Sequence, residues 1–276
     1  MTEEKKKEMS FLDHLEELRW HIVRSLIAVG VFTVVAFISK RFIYHTLLLG
    51  PTRPDFPTYR FLCKLAQWVH YPELCITKLD FILQSRQLSA QFTMHITSSF
   101  MAGFIMAFPY VFWELWRFIK PALNLRERYF SKGAVVFVSF CFFSGVVFGY
   151  FVVSPLAINF LVNYKLDENI INMFDVSSYV SFLITTVLAC GITFQLPVVV
   201  YVLSKIGIMT PAFMKKFRKH AFVVILIVAA VITPSPDIFS QLLVAFPLIV
   251  LYEMSIVISR RIEKKKKKAE ESLLSV

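Results

Sequence analysis

Charge is scarce in this chain. Asp, Glu, Lys and Arg make up 18% of 276 residues against 57% hydrophobic residues, with a mean hydropathy of +0.62, which excludes an ordinary soluble domain. Catalytic constellations are also missing. The eight glycines form no phosphate-cradling loop, the six histidines (14, 21, 45, 70, 95 and 220) show no metal-ligand spacing, and neither HExxH nor GxSxG occurs. An intramembrane enzyme needs a nucleophile with a base, or paired acids within its apolar runs, and the sequence offers neither. No enzymatic activity, cofactor or metal is therefore expected. The alternative class, a small-solute secondary transporter, should carry paired intramembrane charges, broken helices in corresponding positions and internal repeats. One kinked helix and no repeat are found.

What the chain has instead is a series of long apolar runs. They define an all-α polytopic membrane protein, a single integral membrane domain over 1–276. Residues 1–21 form an amphipathic helix, with Phe11, Leu15, Leu18 and Ile22 on one side and Asp13, Glu16, Glu17 and Arg19 on the other. Spans follow at about 22–38, 92–116, 133–161, 176–204, 219–234 and 238–258, and 259–276 is a basic tail. No small-residue cleavage site follows the first run, so no removable signal peptide is expected. Residues 40–90 form a long aromatic loop, read as an ordered cap with weak helical patches around Tyr59–Val69 and Lys78–Gln84.

Orientation follows from the basic residues. Lys5–Arg24, Arg117–Lys132, Lys205–Lys219 and Arg260–Lys268 hold 22 of the 30 lysines and arginines, so the net charge of +11 is topology information rather than a nucleic-acid footprint. Both termini are expected in the cytoplasm. The fifth apolar run, Ala221–Thr233, covers only about 20 Å of a hydrocarbon core about 30 Å thick, so either flanking residues extend it or the bilayer thins there.

Two stretches carry polar residues that need explaining. In Gly191-Ile-Thr-Phe-Gln-Leu-Pro197, Pro197 should kink the fourth span. Gln195 either marks a helix contact or a polar cavity, or, with Thr193, repairs the backbone that Pro197 breaks. In Phe118-Ile-Lys-Pro-Ala-Leu-Asn-Leu-Arg-Glu-Arg-Tyr129, Glu127 is either a loop charge neutralised by Arg126 and Arg128 or an acidic contact for a basic ligand. Gly145-Val-Val-Phe-Gly149 has close-packing spacing, although such matches arise often by chance. Cys141 and Cys190 fall in spans as packing residues. Cys63 and Cys75 share the external loop, where an oxidising compartment allows a disulfide that spacing alone does not fix.

Together, five motifs resemble the TatC family, the multispanning receptor of the twin-arginine protein translocase. They are His14-Leu-Glu-Glu-Leu-Arg19, Phe118-Ile-x-Pro-Ala-Leu123 with Glu127-Arg128, Tyr150-Phe-x-x-x-Pro155, Phe194-Gln-x-Pro197, and Thr233-Pro-x-x-Asp237 with Gln241. Pro121, Pro155, Asp237 and Gln241 stand at structural motif positions. The resemblance implies six helices in a cupped bundle, with the fifth and sixth short, in a bacterial cytoplasmic (inner) membrane. It implies that twin-arginine signal peptides of folded cargo bind at the cytoplasmic face, with Glu17 and Glu127 holding the arginine pair and Arg19, Phe118 and Arg128 at neighbouring positions. It places Gln195 on the interior of the cup. Implied partners are TatA- and TatB-type single-span proteins, further copies of the chain in the receptor complex and the lipid bilayer, with no nucleic acid, and the proton-motive force drives transport. One departure is that His21 stands where the family's first motif usually has a second basic residue. Another is the longer first external loop, with its own cysteine pair.

The physical chemistry agrees with that implication. Carboxylates accept the planar guanidinium fork bidentately, so two acids on one face can select two arginines over two lysines.

Overall fold

The computed structural model describes residues 11–70, 75, 81–119, 133–164, 167, 172–233 and 238–274. Five of its helices are long and apolar enough to cross a membrane, over Leu15–Ile38, Ala90–Ile119, Ala134–Asn163, Val176–Lys205 and Gln241–Lys264. Helices dominate because apolar runs in hydrocarbon must satisfy every backbone group internally. The chain divides into two compact units, one combining residues up to Lys40 with His95–Ser139 and the other Arg41–Met94 with the chain from Phe140 onward.

In the first unit, α1 (Phe11–Ile38) lies antiparallel to most of α3 (Ala90–Ile119), as the order of contacts along the two helices shows. His21 meets Glu114, Thr33 meets Gly103, and Phe37 stacks on His95 with ring centroids 3.9 Å apart. Gly103 permits this approach. A Cβ there would fall 2.6 Å from the backbone nitrogen of Thr33. Pro109 lies within α3 without ending it, and Phe104, Phe108, Phe112 and Trp116 form a ring-to-ring ladder along one side of that helix.

The second unit holds the cap and the remaining spans. Helix α2 (Pro57–Val69) starts on a proline, which suits a first helical turn that needs no N–H donor there. The expected helical patch at Lys78–Gln84 is corrected over its described part, residues 78–80 lying outside the described residues. Ile82–Gln84 is strand β1, paired in parallel with β2 (Met173–Asp175), and Phe81 packs edge-on to Phe174. A three-residue strand is specified by a partner far along the chain, and a local pattern cannot reveal it. Cys63 and Cys75 are joined as a disulfide.

Proline positions shape the spans of this unit. Pro155 cannot donate to the carbonyl of Phe151, and the helix widens there into a π-helical turn, Gly149–Val153, between α4 (Ala134–Phe148) and α5 (Ser154–Asn163). The Phe151 carbonyl accepts from the Thr58 hydroxyl instead, and the Pro155 carbonyl accepts from Tyr59 at 3.1 Å. The cap helix thus supplies, through Thr58, a donor for the one carbonyl that the proline opened, and Tyr59 adds a second tie. Pro197 acts as expected, ending α6 (Val176–Thr193) before α7 (Leu196–Ile206) begins.

Gly145 and Gly149 are used for close packing. A Cβ on Gly145 would lie 2.6 Å from the Cys190 carbonyl oxygen, and one on Gly149 would lie 3.0 Å from Cys190 Cβ. After the short α8 (Pro211–Lys216), α9 runs from Arg218 to Ile232, so Arg218, Lys219 and His220 extend the fifth apolar run by nearly one turn. Its 15 residues still rise only about 22 Å. The last apolar run is continued into charged sequence, and α10 runs from Ile238 to Leu274, because Glu, Lys and Arg sustain a helix that lipid no longer requires. The core joins Val153, Cys190, Ile225, Ala229, Val244 and Leu248.

Candidate functional site

The best-defined polar cluster lies where α1 begins and α3 ends. Glu114 is 1% exposed, and an isolated carboxylate so buried would be costly. Both of its oxygens are engaged. His21 Nδ1 bonds to Oε2, and the Tyr110 hydroxyl donates to Oε1 at 3.0 Å. The charge of Arg24, one turn beyond His21, acts on the same carboxylate. The His21 ring then meets Phe118 edge-on, with centroids 6.1 Å apart. Arg117 reaches back over the Trp113 ring at 5.6 Å.

Helical spacing ties this cluster to the residues read from the sequence. Glu17 and His21 are four apart on α1, and Glu114 and Phe118 are four apart on α3, so each pair shares a helix face. Glu17 and Phe118 are half-buried and Arg19 is exposed. The structure therefore brings the first motif and the start of the second to one end of the same unit. Glu127, Arg128 and Pro121 lie outside the described residues, as does Asp237. Sequence reasoning missed Glu114 and Tyr110, although their four-residue spacing and the nearness of an acid to the end of an apolar run were readable.

The other site residues belong to the second unit. Gln195 Nε2 points back to the Gly191 carbonyl at 3.5 Å, a long bond to a group whose ordinary helical donor, the Gln195 amide, is turned to Ile192. Gln241 Nε2 donates to the Leu226 carbonyl at 3.0 Å and so ties α10 to α9. Tyr179, Tyr150 and Tyr59 donate to the carbonyls of Leu48, Leu47 and Pro51, fixing the cap. Burial pushes the Tyr59 phenol well above its ordinary value, so it stays a donor. Asp175 caps α6, and the Ser177 hydroxyl, then the Ser177 amide, hold its carboxyl below the usual range. A cavity of about 200 Å³ lined by Phe81, Ile158, Leu161, Phe174, Tyr179 and Phe182 is apolar and offers nothing for chemistry.

The fold and this cluster define a multi-pass helical membrane protein, with a His–Glu–Tyr cluster at one end of a helix pair and helices broken at prolines. Within that class the chain belongs to the TatC family, whose model, Sec-independent protein translocase protein (TatC), matches residues 13–247. Its relatives include the Sec-independent protein translocase protein TatC of Blattabacterium sp. subsp. Periplaneta americana, 41% identical over 95% of this chain and 98% of that one. The TatC of Aquifex aeolicus is 32% identical over 96% of this chain and 100% of its own length. Among solved structures, the twin arginine translocase receptor TatC in DDM gives a TM-score of 0.68 at 30% identity, covering 89% of this chain and 99% of that one.

Proposed function

We propose that the protein is the signal-peptide receptor of a twin-arginine translocase, with Glu17 and Glu127 accepting the two guanidiniums and Arg19, Phe118 and Arg128 lining the same surface. The single observation that carries this reading is the contact of His21 with Phe118, which joins two motifs far apart in the chain at one end of one helix pair. Family membership supports it, and the small-solute alternative has no comparable support, since one buried His–Glu pair does not make a solute pathway.

In this proposal the protein is multi-pass in a bacterial inner membrane, with both termini and the Glu127 loop in the cytoplasm, a reading supported by the distribution of lysine and arginine. It works with TatA- and TatB-type single-span proteins, one of which meets Gln195, and with further copies of itself, and the proton-motive force drives export of folded cargo. The test is export of a folded reporter in cells whose only TatC is this protein. Replacing the reporter's arginine pair with lysines should abolish export, because an ammonium cannot reproduce the bidentate fork. Export that is indifferent to this exchange contradicts the receptor reading.

A further inference from the structure

We propose that His21, Glu114 and Tyr110 form a positioning lock for the signal-peptide site, setting the height of Glu17 on α1 against Phe118 on α3. This rests on the reading that Glu17 and Phe118 contact the signal peptide.

The argument is geometric. Glu114 and His21 are buried, with side chains 1% and 7% exposed, and they bridge two helices from positions 93 residues apart. Each lies one helical turn inward from a proposed signal-binding residue, Glu114 from Phe118 and His21 from Glu17. Sliding α1 along α3 would break the His21 bond and leave a buried carboxylate with only the Tyr110 hydroxyl, which belongs to α3 itself. The Tyr110 hydroxyl holds Oε1 while His21 takes Oε2, so the carboxylate is fixed in orientation as well as position. Farther along the same pair, Gly103 lets the two backbones approach, so the helices meet closely in mid-span and are pinned in register at the signal end. The arginine fork tolerates little displacement of its acceptors, and a slipped α1 would keep general contacts with a peptide while losing its selectivity for arginine.

The lock therefore makes a claim about discrimination that a stability role does not. The full chain, reconstituted in lipid nanodiscs, is titrated with a synthetic twin-arginine signal peptide and its twin-lysine counterpart. Glu114→Gln and His21→Ala should each weaken the arginine peptide about tenfold while changing the lysine peptide by less than about twofold, so the ratio of the two affinities collapses. His21→Arg, which keeps a nitrogen donor within reach of Glu114, should keep that ratio within about threefold of the parent. If the single variants fail to assemble, the neutral pair His21→Gln with Glu114→Gln takes their place and should also lose the ratio. Equal weakening of both peptides, or an unchanged ratio, overturns the proposal. Glu17→Ala separates the two levels of the argument. If it leaves the ratio intact, the binding-site reading fails; if it collapses the ratio and the lock variants do not, only the lock fails.

Discussion

Gly145 sits so close to Cys190 that a methyl group in place of its hydrogen would come within 2.6 Å of the Cys190 carbonyl oxygen. That relationship turns a common five-residue spacing into a packing requirement between α4 and α6. Gly145→Ala should cost about 1–3 kcal/mol by overpacking. Gly30→Ala, with nothing within 4 Å of its added Cβ, should instead stabilise by about 0.5–1 kcal/mol through helix propensity. Thermal unfolding of the detergent-solubilised protein checks the pair. A lower Tm for both variants would contradict the packing account.

The cap is expected to depend on the Tyr59 hydroxyl, which serves the carbonyls of Pro51 and Pro155 at 3.0 and 3.1 Å. Tyr59→Phe leaves both without this donor and should cost about 1–3 kcal/mol, seen as faster proteolysis of the 40–90 loop. A pH dependence follows with a definite sign. The folded phenol titrates above its unfolded value, so its contribution is complete below about pH 10 and is lost as pH rises beyond it. Cap protection should fall above about pH 10 in the parent and less steeply in Tyr59→Phe, which keeps the Tyr150 and Tyr179 donors.

The 3.5 Å bond from Gln195 to Gly191 is long enough for the amide to gain from a better partner. Gln195→Leu should weaken disulfide crosslinking of engineered cysteines to a TatA- or TatB-type helix, by the equivalent of about 0.6–2 kcal/mol, with signal-peptide affinity retained. Undiminished crosslinking would assign Gln195 to backbone repair alone.

Much of this architecture is legible from the sequence because a bilayer imposes simple rules. Apolar runs of sufficient length mark the spans, and Pro197 marks the break between α6 and α7. The π-helical turn before Pro155 is harder to foresee, since Thr58 arrives from the cap to take the freed Phe151 carbonyl and Tyr59 bonds alongside it. Strands β1 and β2 are each too short to carry a period of their own. Glu114 shows the limit most clearly. An acid near the end of an apolar run ordinarily reaches for the surface, and only its partner, 93 residues earlier, makes it a buried anchor. His21 stands out in the sequence merely as a departure from a motif, whereas in the structure it joins that motif to Phe118.

The central claim is that acidic side chains on one face select an arginine pair, and the affinity of the reconstituted protein for twin-arginine peptide, before and after Glu127→Ala and Glu127→Arg, tests it most directly. A charge-assisted hydrogen bond contributes about 1.5–3 kcal/mol, so Glu127→Ala should weaken binding by about one to two orders of magnitude. Glu127→Arg should weaken it further by adding repulsion, and an acidic substitution in the peptide should recover part of the loss. Binding of the twin-arginine peptide by a folded, assembled Glu127→Arg protein with the parent's affinity would contradict the account and leave Glu127 a neutralised loop charge.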